Sequence, residues 1–228
     1  MPSSPPTVVC LPVLHRPRRP DTPWHRAIGS SKRMAGEVVQ RIWETAVEVA
    51  AIGPQSPRGR RFGSFGADSV ICFPHNTLMN EQYVHIGTGT MIGPGVTLSA
   101  GMVPGQSCLT ERVVSIGDRC LIGRGSGIVG HLEIVIGDDV WTGHHVYLTD
   151  QNHGYLDPDL PISKQVQPER PVHVGDGSWL GHGCVVLPGS SIGRHVVIGA
   201  NSVVTGHIPD FSVAVGAPAR VVASIQRG

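Results

Sequence analysis

The sequence predicts an all-β fold, a parallel β-helix of hexapeptide repeats preceded by one helix and interrupted by an extruded loop, on three observations. From Val174 onward an aliphatic residue opens every block of six: Val174, Leu180, Val186, Ile192, Ile198 and Val204. A period of six fits neither a helix nor an antiparallel strand, whose side chains repeat at roughly 3.6 and 2 residues. Aromatic residues make up only 5% of the chain while glycine and proline number 30 and 19, a profile of tight corners and small side chains rather than of a helical bundle. A triangular coil meets all three conditions. Each block supplies one short flat strand and one corner, three blocks close a turn, and the aliphatic side chains stack inward on those of the next turn about 4.8 Å away.

Taken in order, residues 1–30 carry many prolines and the run Arg16-Pro17-Arg18-Arg19-Pro20, too little apolar surface to offset the entropy of ordering, and read as a flexible leader. Residues 31–61 read as an amphipathic helix and a linker. Val38, Val39, Ile42, Trp43, Ala46, Val47 and Ala50 recur at three- and four-residue spacing, which predicts a helix from Ser31 to about Ala51. Such a helix either packs on the main domain or offers its apolar face to a membrane surface or a partner. Gly53 to Gly63 is rich in Pro, Gly and Arg and forms the linker.

The β-helix spans residues 62–222. Its first array is Ile86, Ile92 and Leu98, then Ile116, Ile122 and Ile128, then Ile136 after a slip of two residues. In the later array the residue four places after each opener is small, as at Ser178, Cys184, Ser190, Val196 and Ser202, with Ile208 as the exception. Interruptions fall at 102–113 and 150–172. The second is too polar and proline-rich to continue the coil and protrudes as a loop. Residues 223–228 form a tail. Because a coil is thin, the helix and the tail gain a purpose as covers for its ends.

Lys and Arg number 18 against 17 Asp and Glu, a formal net charge of +1, so no global field recruits nucleic acid. The five cysteines form no C-x-x-C pair, which suggests neither a disulfide framework nor a thiolate zinc site and leaves a reducing cytoplasm as the expected compartment. No stretch reaches the ~20 apolar residues of a transmembrane segment, although peripheral membrane contact stays open.

The blocks with Ile-Gly at 86, 92, 116, 122, 136, 192 and 198 resemble the hexapeptide-repeat acyltransferases, over residues 62–222. That resemblance implies a left-handed coil, against the general preference for right-handed crossovers. Trp179-Leu180-Gly181, Pro188-Gly189, Ile198-Gly199-Ala200, Val203-Val204-Thr205 and Gly216-Ala217-Pro218-Ala219-Arg220 look like the maltose, galactoside and xenobiotic O-acetyltransferase branch. The branch implies acetyl-CoA as co-substrate, no metal, a carbohydrate or glycolipid acceptor, and a homotrimer with each site between two subunits.

On the same resemblance His153, at the start of the extruded loop, is the general base that takes the proton of an acceptor hydroxyl as it attacks the thioester. A sugar hydroxyl is a poor nucleophile at neutral pH, and an imidazole with an ordinary pKa near ~6.5 suits its proton. Trp179 is expected beside that histidine and the thioester arm. Asp150 either orients the imidazole or caps its own loop. His131 is expected to bind acceptor across from the catalytic histidine, on the adjacent subunit, or else to face solvent; Asn152 and Tyr155 join it on the acceptor side. Gly181, His182, Ala200, Thr205, Pro218 and Arg220 match coenzyme-binding positions, though coil packing alone explains the glycines and Ala200. The oxyanion donor is expected to be a backbone N–H of a neighbouring coil. His144 and His145, adjacent in an extended strand, are expected to point to opposite faces, so they cannot both serve one site and are left unassigned.

Departures from the branch are informative. Gly206 and Ala223 stand where the branch commonly has basic residues, so phosphate contacts shift to Arg220, Arg227 or another subunit. Gly154-Tyr155-Leu156-Asp157-Pro158 replaces the proline that follows the histidine in galactoside and maltose enzymes, and looks more like transferases of polysaccharide or glycolipid precursors.

Among rivals, the γ-type carbonic anhydrases share this coil and hold zinc with three histidines, two of them five residues apart. No pair among the 12 histidines has that spacing. A non-catalytic β-helix scaffold would gain nothing from a polar loop bearing His153. N-acetylation of an amino-sugar and O-acetylation of serine stay open, although serine acetyltransferases usually carry a larger helical N-terminal domain.

Overall fold

The computed structural model describes residues 23–166 and 168–226, with side chains from residue 32 onward. The chain divides into two compact units at Glu44 and Thr45. A single helix, α1, runs Pro23–Val49. It begins before the apolar spacing does, so residues 23–30, read as leader, belong to the helix; the rest of the leader lies outside the described residues. Proline is well suited to open a helix, because its missing N–H would be unpaired there in any case. Met34, Val38, Val39, Ile42 and Trp43 are exposed.

Beyond α1 the chain winds through three flat parallel sheets, the arrangement of a parallel β-helix. The first face is built from Ser64–Phe65, Val84–Ile86, Val114–Ile116, Ile134–Ile136, Val172–Val174, Ser191–Ile192 and His207–Ile208. The second stacks Val70–Ile71, Met91–Ile92, Leu121–Ile122, Trp141–Thr142, Trp179–Leu180, Val197–Ile198 and Ser212–Val215. The third stacks Leu78–Met79, Thr97–Ala100, Gly127–Gly130, Tyr147–Thr149, Val185–Val186 and Val203–Val204. Every pairing between successive coils is parallel and in register, as at Ile86 with Ile116 and Leu180 with Ile198.

The inward column is as the period requires: Ile86, Ile92, Leu98, Ile122, Ile128, Ile136, Leu180, Val186, Ile198 and Val204 are buried. The small positions four residues on tie one coil to the next. The Ser178 hydroxyl donates to Gly193 O and accepts from Val196 N, Ser190 donates to Val204 O, and Ser202 accepts from Gly216 N. Each of these buried hydroxyls thus has a hydrogen-bond partner on the next coil. Ile208 departs from the pattern because it is itself an inward opener, paired with Ile192.

Two features go beyond the repeats read in the sequence. A first coil, 64–79, lies within the 62–222 span but precedes the array that starts at Ile86. After Gly216 the chain doubles back, and Arg220–Ser224 pairs antiparallel with Ser212–Val215, so strand extends into the segment read as tail.

Cys72, Cys108, Cys120 and Cys184 are free thiols. Burial pushes the Cys120 thiol up to about 11, and burial also raises Cys184. At pH 8 roughly a thousandth of Cys120 is thiolate. Iodoacetamide at that pH should leave both unmodified in the folded chain and label them in denaturant, read by intact and peptide mass; rapid native labelling of Cys120 would contradict its placement.

Candidate active site

Both interruptions leave the coil at the same corner, between the third and first faces, at 101–113 and 150–171. That corner also explains the slip of two residues after Ile128: His131-Leu132-Glu133 makes a longer turn there, held by Asp150. The Asp150 carboxylate, wholly buried, accepts the backbone N–H groups of His131 at 2.9 and 3.1 Å, Leu132 at 2.8 Å and Glu133 at 2.7 Å. Its carbonyl accepts Arg170 N–H at 2.9 Å, drawing the far end of the loop back to its start. Asp150 therefore does not orient His153, one of the two roles expected of it; its oxygens are taken by the backbone of the preceding coil.

The loop folds on itself. His153 bridges antiparallel to Val166, and Gly154 N–H donates to Gln165 O at 3.3 Å. The Gln165 amide donates to Asp157 O and Leu160 O and accepts from Asp157 N–H, stapling the loop tip. A Cβ on Gly154 would stand 2.9 Å from Val166 O, and a proline would also lose the N–H, which accounts physically for glycine where galactoside enzymes have proline.

Under this loop lies a pocket of about 160 Å3 whose walls include Met102, His131, Asn152, His153, Lys164 and Glu169. His153 is exposed, its own N–H donates to Asn152 Oδ1, and no described protein group bonds its ring. The His131 side chain, by contrast, is 9% exposed and its Nδ1 lies 3.2 Å from Glu169 Oε1. His131 and His153 thus share a pocket of one chain, where the sequence reading set them on different subunits. Glu169 was missed; a lone acid in a proline-rich loop carries no pattern that would have found it. Tyr155 stands apart, 68% exposed, in a groove of about 520 Å3 that shares Lys164, Gln165 and Val166 with the pocket.

Trp179 is not beside His153 in this chain. It lies on the outside of the second face, 51% exposed and in register with Trp141. Gly181, His182 and Ala200 sit together on the corner between the second and third faces, while Thr205, Pro218 and Arg220 are exposed toward the C-terminal end. None of the six lines the His153 pocket. A Cβ on Gly181 would stand 2.7 Å from Ala200 N, so coil stacking alone demands glycine there. The Arg220 guanidinium donates to Ala219 O at 2.8 Å.

At the same corner His145 adopts φ 57°, so the extended-strand argument separating it from His144 fails. The two rings and that of His182 cluster, with centroids 5.6 to 6.5 Å apart. No cluster of three or more His, Cys, Asp or Glu among the described residues has the geometry of a metal site.

Comparison with known proteins agrees with this architecture. The family model for bacterial transferase hexapeptide (six repeats) matches residues 171–206, and that for the hexapeptide repeat of succinyl-transferase matches 113–149. A probable acetyltransferase of Mycobacterium tuberculosis, Rv3034c, is 42% identical over 116 residues, 51% of this chain and 39% of that one. The galactoside O-acetyltransferase of Lactococcus lactis is 39% identical over 94 residues, 41% of this chain and 44% of that one. The chain thus spans less than half the length of these two relatives. Among solved structures, the N-acyltransferase AntD of Bacillus cereus, in complex with dTDP and coenzyme A, superposes with TM-score 0.62 at 19% identity, covering 74% of this chain and 88% of that one. A hexapeptide-repeat acetyltransferase of Vibrio cholerae complexed with acetyl coenzyme A gives 0.52 at 24%, covering 74% of each. At these identities the two structures speak to the fold. The putative lipopolysaccharide biosynthesis O-acetyl transferase WbbJ of Escherichia coli is 31% identical over 160 residues, 67% of this chain and 77% of that one, and on that likeness the chain belongs to the hexapeptide-repeat acyltransferases.

Proposed function

We propose that the protein is an O-acetyltransferase that moves acetyl from acetyl-CoA to a hydroxyl of a sugar, polysaccharide or glycolipid, with His153 as general base. The observation that carries this reading is the pocket lined both by the exposed His153 and by a second histidine, His131, paired with Glu169. The acceptor oxygen attacks the thioester carbonyl as His153 takes its proton; the tetrahedral adduct collapses, the sulfur of coenzyme A leaves, and the imidazolium returns the proton to it. No covalent enzyme intermediate is needed.

A homotrimer of left-handed coils completes the site. The residues matching coenzyme positions lie away from the His153 pocket of their own chain, which favours one half-site from each of two copies. The outside of the second face supports a covering copy: Met91, Leu121, Trp141 and Trp179 follow one another in register, and Met91 and both tryptophans are 46 to 57% exposed. Such an apolar ladder is unusual on a free surface. No described helix is long and apolar enough to cross a membrane. Acetyl-CoA supply places the reaction in the cytoplasm.

The test is thiol release from acetyl-CoA across mono-, oligosaccharide and glycolipid acceptors, with sedimentation to measure assembly. Acceptor-dependent release from a trimer is the expected result. A folded protein that releases no thiol with any acceptor and fails to bind coenzyme A would overturn the reading in favour of a scaffold.

A further inference from the structure

We propose that the apolar face of α1 docks the protein on an anionic lipid surface, with the helix lying in the plane of the headgroups. The helix has 27 residues and is about 40 Å long. At about 100° per residue, its large apolar side chains from residue 34 to 49 fall within one arc of about 180°, bounded by Met34 on one edge and Trp43 on the other. Met34, Val38, Val39, Ile42 and Val49 are 55 to 78% exposed. A patch of this size on one element marks an interaction surface. No described helix is apolar enough to cross a membrane, so a helix of this kind lies on one instead.

The charges around the arc separate a lipid surface from a second copy of the chain. Arg41 stands just outside the Met34 edge and Lys32 beside the Trp43 edge, whereas Glu37, Glu44 and Glu48 run along the back of the helix; all five are exposed. Cations at the edges of an embedded face lay their apolar stems along it and reach the headgroup phosphates, and carboxylates at the back stay in water. A helix-to-helix seam is built differently, as a narrow stripe flanked by charged positions that pair between copies. Here the stripe of Val38, Ile42 and Val49 is flanked by Met34 on one side and by Val39 and Trp43 on the other, which is wider than such a seam needs.

The distribution of charge along the chain gives the sign of the surface. Residues 1–36 hold six of the 18 Lys and Arg and one of the 17 Asp and Glu, a net of +5, which leaves 12 against 16, a net of −4, for the rest. A basic stretch beside an amphipathic helix supplies the two signals, electrostatic and apolar, that stable attachment takes. The same anionic surface repels the net-negative remainder, so the N-terminal end makes the contact.

The probe is vesicles of phosphatidylcholine alone or with an equal part of phosphatidylglycerol, sedimented with the full chain at about 0.1 M salt. Binding to the anionic vesicles should be about tenfold or more tighter than to the neutral ones and weaken about tenfold at roughly 0.5 M salt. Val38→Glu with Ile42→Glu should lower it about a hundredfold, and Glu44→Gln on the back should change it less than about twofold. Lys32→Glu with Arg41→Glu leaves the apolar face whole and should cut the preference for anionic vesicles about tenfold. Equal binding to both vesicles, or binding undiminished by Val38→Glu with Ile42→Glu, would overturn the proposal. So would failure to bind either vesicle; if those substitutions then lower the sedimentation coefficient, the face belongs to a second copy. No acetyl transfer enters this assay, so its outcome and that of the transferase reading are independent.

Discussion

Replacing His153 by alanine should lower acceptor-dependent thiol release about a hundredfold or more while leaving the melting temperature where it was. The size follows from the role: proton transfer by a positioned side chain contributes roughly two to four orders of magnitude. The unchanged stability follows from placement. His153 is exposed, its ring holds no described partner, and the bond that shapes the loop at this residue is made by its backbone N–H to Asn152 Oδ1. The loss should fall on kcat, with KM for acetyl-CoA little altered, because the residues matching coenzyme positions lie outside this pocket. A variant within threefold of wild type would remove His153 from the chemistry, whatever the acceptor.

How much of this molecule was legible depends on the kind of regularity involved. The stacked core was readable because inward side chains recur at a fixed interval, and Val174 to Val204 keep it without a break. The protruding loop was readable because Pro158, Pro161 and the polar residues around them cannot join a coil. The pairing of His144 with His145 was misread for a definite reason: alternation of side chains holds only while the backbone is extended, and His145 sits at a left-handed corner. The site's internal wiring was not legible. Gln165 stapling the loop tip and Glu169 reaching His131 are contacts across 8 and 38 residues, set by how an irregular loop closes rather than by any repeat. Trp179 marks a further limit, since a resemblance transfers a residue to a site without saying which copy of the chain supplies it.

Asp150 shows how a residue singled out for chemistry serves the site through structure, and its removal should be the most destabilising single change made near the pocket. In Asp150→Ala the N–H groups of His131, Leu132 and Glu133 lose their acceptor at a position that solvent does not reach. Breaking a buried charged hydrogen-bond set of this kind costs about 3–5 kcal/mol. For a chain of this size each kcal/mol moves the midpoint by about 2–4 °C, so a fall of about 10 °C is expected by calorimetry. Asp150→Asn keeps the shape and one acceptor oxygen but turns an NH2 toward N–H donors, and should lose about half as much. Activity should fall in both, measured well below the lowered midpoint, because Asp150 joins the turn carrying His131 to the loop carrying His153. That pattern separates positioning from chemistry: His153→Ala loses rate at constant stability, whereas Asp150→Ala loses both. An Asp150→Ala protein melting within 2 °C or so of wild type would mean that the turn holds itself and that the carboxylate is spare.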